Sequence, residues 1–355
     1  MNTPFEDKVA MLRAFMDSNA LGSLVLRKNP NLAWLTGGRV HVPLTIDTAC
    51  FDIVVTKSQV RAFTNVIEAP RLIAEEFPPG IAVEAVAWWK SREALLPYGE
   101  DVGTDLPVVG RRDVSSEIEI LRSSLIHCDQ VRLRQVSRDS AVALGTAMRQ
   151  VLTTDREIDV TSRISRVLWE SDLEMVFIGV AGDSRMRRFR HPLPTREVVG
   201  SRAVASICAR RKGLIASVTR IVSFGEIDEA TEKEYGALLQ VEAAMLEATK
   251  VGQPFSNPIK AAAAAYPEQG FDVNEWTHHH QGGPTGFLPR DWTANFESTL
   301  PILEGQPIAW NPTACGWKVE DTWLAQLSGP ELVSVDRQWP QREIAGRIRP
   351  DFLRK

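Results

Sequence analysis

Residues 203–224 read AVASICARRKGLIASVTRIVSF. Two runs rich in Ala, Val, Ile and Leu flank a basic turn that ends in Gly213. Short apolar, β-branched runs bounded by turn chemistry are strands, and glycine gives the chain the left-handed freedom a tight turn needs. This stretch therefore predicts two strands.

Outward from it, LEMVFIGVAG (173–182), QPIAWNPT (306–313) and DTWLAQL (321–327) read as further strands. Between them lie helical periodicities at 156–171, 231–252 and 257–270. Thr231 and Glu234 have the spacing of a capping box, and Gly252 stands where that helix can end. The second part of the chain is thus predicted to be α+β with a mostly antiparallel sheet. The first part alternates differently: a helix at 5–18, strands at 21–26, 51–56 and 60–66, and helices in IEAPRLIAEEF (67–77) and WWKSREALLPY (88–98). A change of pattern across 107–129 puts the boundary near residue 128, giving an α/β two-domain chain of 1–127 and 128–355.

The composition suits such a chain, with 355 residues, 44% hydrophobic and 24% charged. A formal net charge of −4 gives no global basic field, so nucleic acid is not an expected partner. The start MNTPFEDKVAML lacks the basic then apolar order of a signal peptide, and no later run has the apolar length of a membrane span, which predicts a cytoplasmic protein without membrane contact. Four scattered cysteines without a CxxC pair argue against a zinc knuckle or a disulfide framework.

Three segments of the second part gather polar chemistry: RFRHPLPTREV (188–198), the strand pair around Gly213, and THHHQGGPTGF (277–287) followed by WNPTACGWKVEDT (310–322). Together they resemble the creatinase, aminopeptidase P and methionine aminopeptidase superfamily, whose catalytic domain has the pita-bread fold. The resemblance covers essentially the whole chain and implies a creatinase-like N-terminal α/β domain followed by a C-terminal α+β pita-bread domain. Active members hold two metal ions with two Asp, one His and two Glu. Placed by Gly213, the aspartate positions carry Ser206 and Ser217; the histidine is His280, and the two glutamate positions carry Asn311 and Glu320. A neutral hydroxyl is a poor substitute for a bridging carboxylate. The expectation is a site without metal and without any other cofactor.

Creatinase is a metal-free member, and its histidine motif resembles His191–Arg196 here. The resemblance makes His191 the general acid and base, a role suited to a group titrating near neutrality, with His280 and Glu320 polarising substrate or water. Thr219 and Asn311 replace the glutamates that hold a guanidinium group in creatinase, so creatine itself is not expected. Arg220 and Arg290, with Ser206, Ser217 and Asn311, would instead bind an anionic or amide-bearing small molecule. The segment LAWLTGGRVHVPL (32–44) matches a loop that crosses to a partner's pocket, which implies a homodimer with Arg39 and His41 closing the site. The leading expectation is a metal-independent hydrolase of a non-peptide C–N or amide bond. A non-catalytic pita-bread protein that binds a peptide or partner protein, and an ordinary metal-dependent aminopeptidase or prolidase, are the other readings.

Simpler accounts stand beside these. Side chains of consecutive residues in an extended segment alternate in direction, so His278, His279 and His280 are expected to supply one functional histidine and two packing ones. The arginines at 185, 187, 188 and 190 read as a solvated face, and Gly282–Gly283 as a close-packed turn, with no following Lys-Ser/Thr to make a phosphate loop.

Overall fold

The computed structural model describes residues 3–42 and 46–355. It has the expected two-domain α/β architecture and divides into two compact units, residues 1–128 with 212–214, and residues 129–211 with 215–355.

The first unit is built on a six-stranded sheet of β1 (Ser23–Lys28), β2 (Thr48–Thr56), β3 (Val60–Asn65), β4 (Ala82–Val86), β5 (Val102–Thr104) and β6 (Arg112–Asp113), in the order β4-β3-β2-β1-β5-β6. Its central strands are buried because nearly every position is apolar, and Val25, Val54, Phe63, Leu96 and Val102 pack together in one cluster. The leading helix, Pro4–Ser18, begins with a Thr3–Glu6 capping box and buries Phe5, Val9, Leu12 and Met16 on one stripe. The helix expected in WWKSREALLPY is reduced to a single 3₁₀ turn, Arg92–Leu95. That segment has no apolar stripe to bury and Pro97 blocks its extension; Trp88 and Trp89 stay largely exposed, edge to face on each other.

The second unit carries one sheet of β7 (Glu174–Gly182), β8 (Arg202–Arg211), β9 (Leu214–Ser223) and the short parallel β18 (Leu353–Arg354), in the order β18-β9-β8-β7. Lys212 and Gly213 both have positive φ, 46° and 86°, in the tight turn between β8 and β9. A second sheet joins β10 (Gly282–Pro284), β11 (Pro307–Trp310), β14 (Asp321–Leu324) and β15 (Glu331–Leu332), all antiparallel. Two small ribbons complete the strands: β12 (Thr313–Ala314) with β13 (Trp317–Lys318), and β16 (Gln341–Ile344) with β17 (Arg347–Pro350).

Helices Glu229–Ala248 and Ser256–Glu268 line the apolar core, where Tyr235, Leu238, Leu239, Met245, Phe255, Tyr266 and the tryptophans 310, 317 and 323 meet. Each fully buried side chain of this kind is worth about 1.5–3 kcal/mol. The first of these helices starts one turn earlier than its sequence suggests. Asp228, not Thr231, is the N-cap and accepts the Thr231 backbone N–H at 2.7 Å; the helix stops at Ala248, short of Gly252, with the Thr249 hydroxyl donating to the Met245 carbonyl.

Beneath the core runs a buried charge network. Arg349 reaches both oxygens of Glu242 and lies 3.0 Å from Asp321, whose other oxygen is 3.1 Å from Arg220. Among the described residues no helix is long and apolar enough to cross a membrane.

Candidate active site

The β8–β9 pair supplies the floor of the site. Ser206, opposite Gly179 of β7, faces Thr219, and their hydroxyls are 2.7 Å apart. Ser217 is fully buried, its hydroxyl 3.4 Å from the Cys208 thiol and its backbone paired with the Thr322 hydroxyl on β14. Thr219 leads on to Glu320, donating to its Oε2 at 3.4 Å while its own N–H donates to the Glu320 carbonyl.

Glu320 is the electrostatic centre. Arg290 donates to its Oε1 at 2.7 Å and the Lys318 ammonium lies 3.0 Å from its Oε2. Burial alone would raise this carboxyl, but the two cations and their hydrogen bonds overcome it and hold Glu320 down to about 2. It is a carboxylate at every physiological pH, with its lone pairs already engaged.

The Gln281–Gly283 turn positions the histidines. A Cβ on Gly282, at φ 108°, would lie 2.2 Å from the Ala309 carbonyl oxygen, so only glycine lets β10 approach β11 here. Gln281 donates to the carbonyls of Trp276 and His279 at 2.8 and 2.7 Å, and accepts from the Tyr266 hydroxyl at 3.1 Å. So pinned, His279 and His280 stack with ring centroids 4.4 Å apart at 24°. His191 arrives from the loop after β7 and puts its Nε2 2.9 Å from that of His279. One ring nitrogen from each of His191, His279 and His280 lies within 4.8 Å of the others. The expected alternation of side chains is not followed: two of the three consecutive imidazoles reach the same cluster. Only His278 turns away, exposed beside Glu275.

Burial, followed by the Lys318 charge, pushes His279 down to about 2; burial and the Arg290 charge take His280 to about 4, and the same kind of surroundings lower His191. All three rings are neutral at pH 7, so each has a lone pair to offer.

Other expected residues fall as follows. Asn311 is buried, its N–H on the Gln281 carbonyl and its Oδ1 without a protein partner. Arg220 is engaged by Asp321 and the carbonyls of Thr219 and Ser334, in the structural network rather than with the histidines. Arg39 belongs to the first unit, bonded to Glu76 by backbone and side chain; Pro43 and Leu44 of the proposed crossing loop lie outside the described residues. Of the arginine run, Arg185 pairs with Glu157 and Arg190 with Glu275, so it is less solvated than its sequence suggests. A small cavity beside Ser206 is lined by Phe189, Arg190, Pro192, Trp317 and Lys318, apolar walls with two cations. Lys318 and His279 escaped the sequence reading. The signal for Lys318 was there, because a residue two positions before Glu320 in extended chain shares its face.

The same arrangement of strands and helices is found in solved prolidases. The prolidase of Pyrococcus horikoshii superposes with a TM-score of 0.78 at 18% identity, covering 93% of this chain and 98% of its own. The chain has the prolidase fold. In sequence, the Xaa-Pro dipeptidase of Pyrococcus horikoshii is 19% identical over 94% of this chain and 98% of the relative. The prolidase fold also accommodates the N-terminal domain of the FACT complex subunit SPT16 from chickpea, at TM-score 0.72 and 11% identity over 94% of this chain and 96% of that one. No family model matches the chain.

These likenesses correct one expectation. The expected metal-independent, creatinase-like enzyme of non-peptide C–N bonds is overturned by the relatives, which are named Xaa-Pro dipeptidase and prolidase. Loss of creatinase's two guanidinium-binding glutamates already points away from its substrate.

Proposed function

We propose that this cleft is a hydrolytic site for short peptides with a free carboxylate, Xaa-Pro dipeptides being the class named by the relatives. The observation that carries the reading is the convergence of three neutral imidazoles beside the Lys318–Glu320–Arg290 ion cluster. In the overall reaction a water oxygen bonds to the peptide carbonyl carbon and the C–N bond breaks. The proton released from the water leaves on the nitrogen, giving two amino acids. The imidazoles are the groups able to activate that water. Lys318 and Arg190 are the cations at the cavity beside Ser206 that a terminal carboxylate would meet.

The two-metal centre that the family resemblance implies does not fit these residues. Two hydroxyls bonded to Thr219 and Cys208, a neutral amide, and a carboxylate held by two cations leave His280 alone unencumbered among the five positions.

The test is a panel of Xaa-Pro dipeptides, with release of proline followed by mass spectrometry, on the wild-type protein and on His280→Ala. Proline release that the substitution abolishes is expected. No release from any dipeptide, with zinc, cobalt or manganese added or omitted, would refute the reading.

A further inference from the structure

We propose that His191, His279 and His280 form a mononuclear site for a borderline transition-metal ion such as zinc or cobalt, displaced from the carboxylate positions of the fold. Binding at this site does not depend on the peptidase reading, although its use in catalysis would rest on it.

Three observations converge. First, one nitrogen from each ring lies within 4.8 Å of the others, and the His191 and His279 Nε2 atoms are only 2.9 Å apart. Tetrahedral zinc–imidazole bonds of about 2.0–2.1 Å place ligand nitrogens about 3.4 Å from one another, so small ring rotations suffice. Second, His279 is 7% exposed and its Nε2 meets the His191 ring, while the buried Nδ1 of His280 has no protein partner. Buried polar atoms left unpaired are costly and call for a ligand. Third, the backbone beneath the cluster is fixed by the Tyr266–Gln281–His279 hydrogen bonds, so the histidine-bearing segment is held in place before any ion binds.

An all-imidazole donor set selects zinc, cobalt, nickel or copper over magnesium, calcium or manganese, which prefer oxygen. Charge decides what completes the site. Lys318, Arg290 and Glu320 sum to one positive charge beside the histidines, so a divalent ion is favoured when the fourth position holds an anion. The carboxylate of a peptide or a hydroxide meets that requirement. The open side lies at His191, the most exposed ring of the three.

The experiment is titration of metal-stripped protein with Co²⁺, read by its d–d absorption, and with Zn²⁺, read by calorimetry. One ion per chain is expected, with a four-coordinate cobalt spectrum lacking a thiolate charge-transfer band. His191→Gln, His279→Gln and His280→Gln should each weaken binding by at least about 100-fold, the top of the range for loss of an outer-layer partner. His278→Gln, one residue away but exposed, should bind as wild type. Circular dichroism confirms that each variant is folded, and the wild-type spectrum stands independently of all of them. No uptake, two ions per chain, a thiolate band, or folded triad variants that bind unchanged would each overturn the site. Metal bound without peptidase activity would support the site and refute the peptidase reading; peptidase activity without metal uptake would do the reverse.

Discussion

Lys318 sits two residues before Glu320, and its ammonium lies 3.0 Å from the Glu320 Oε2 on the same side of the chain. It brings a cation to the carboxylate that the family resemblance aligns with a metal ligand. The same ammonium lines the cavity beside Ser206. Lys318→Met should therefore weaken binding of a peptide carboxylate. A charge-assisted hydrogen bond is worth about 1.5–3 kcal/mol, so KM should rise about 10- to 100-fold. kcat should change little, because the contact is made equally in ground and transition states. Steady-state kinetics on an Xaa-Pro dipeptide decides it; an unchanged KM would remove Lys318 from the binding site.

Arg290 is the other half of the clamp, and its role is testable by stability alone. Glu320 is 3% exposed, and Arg290→Ala leaves it with one cation. Breaking a buried pair from one side costs about 3–5 kcal/mol. Lys318 remains, so the loss should fall at or below the lower end of that range. Urea unfolding of the single and double variants with Glu320→Gln measures it, and the double variant should recover part of the loss.

The two-domain order of helices and strands was legible because apolar periodicity and turn residues both marked it: the strand pair flanking Gly213 and the capped helix at Pro4–Ser18 carry their own local signals. WWKSREALLPY misled because its hydrophobic content is high while its spacing has no stripe. The site was legible one residue at a time but not as a constellation. His191 and His280 stood out by motif, whereas His279 did not, because strict strand alternation would have turned it away. The chain pinned by Gln281 does not follow that alternation, and the two rings stack. Arg220 misled in the opposite sense: its neighbour Thr219 faces the site, while the arginine joins Asp321 in a network that only the folded chain assembles.

Gly282 gives the histidines their position, and it can be tested without touching them. Its φ of 108° is rarely adopted by other residues, and an added Cβ would meet the Ala309 carbonyl oxygen at 2.2 Å. The left-handed strain alone costs about 1–2 kcal/mol, and relief of the clash must shift β10 away from β11. Gly282→Ala should lower the melting temperature and weaken cobalt binding together. A variant that melts lower but binds cobalt as wild type would show that β10 does not set the cluster.

Arg349→Met probes what holds the second unit together beneath the site. Arg349 is 1% exposed and is bonded to both oxygens of Glu242, itself fully buried. Burial pushes the Glu242 carboxyl up to about 7, and the Arg349 charge is the chief force opposing that rise. Methionine keeps the packing against Trp323, whose ring the guanidinium now covers at 5.0 Å, but leaves Glu242 without its cation and Asp321 with Arg220 and the Ser334 hydroxyl. Removal of one member of a buried ion pair predicts a loss of about 3–5 kcal/mol. Adding Glu242→Gln, which removes the carboxyl that must otherwise stay charged unpaired or take up a proton, should restore a measurable part of it. A double variant no more stable than Arg349→Met would mean that the loss comes from packing rather than from an uncompensated charge.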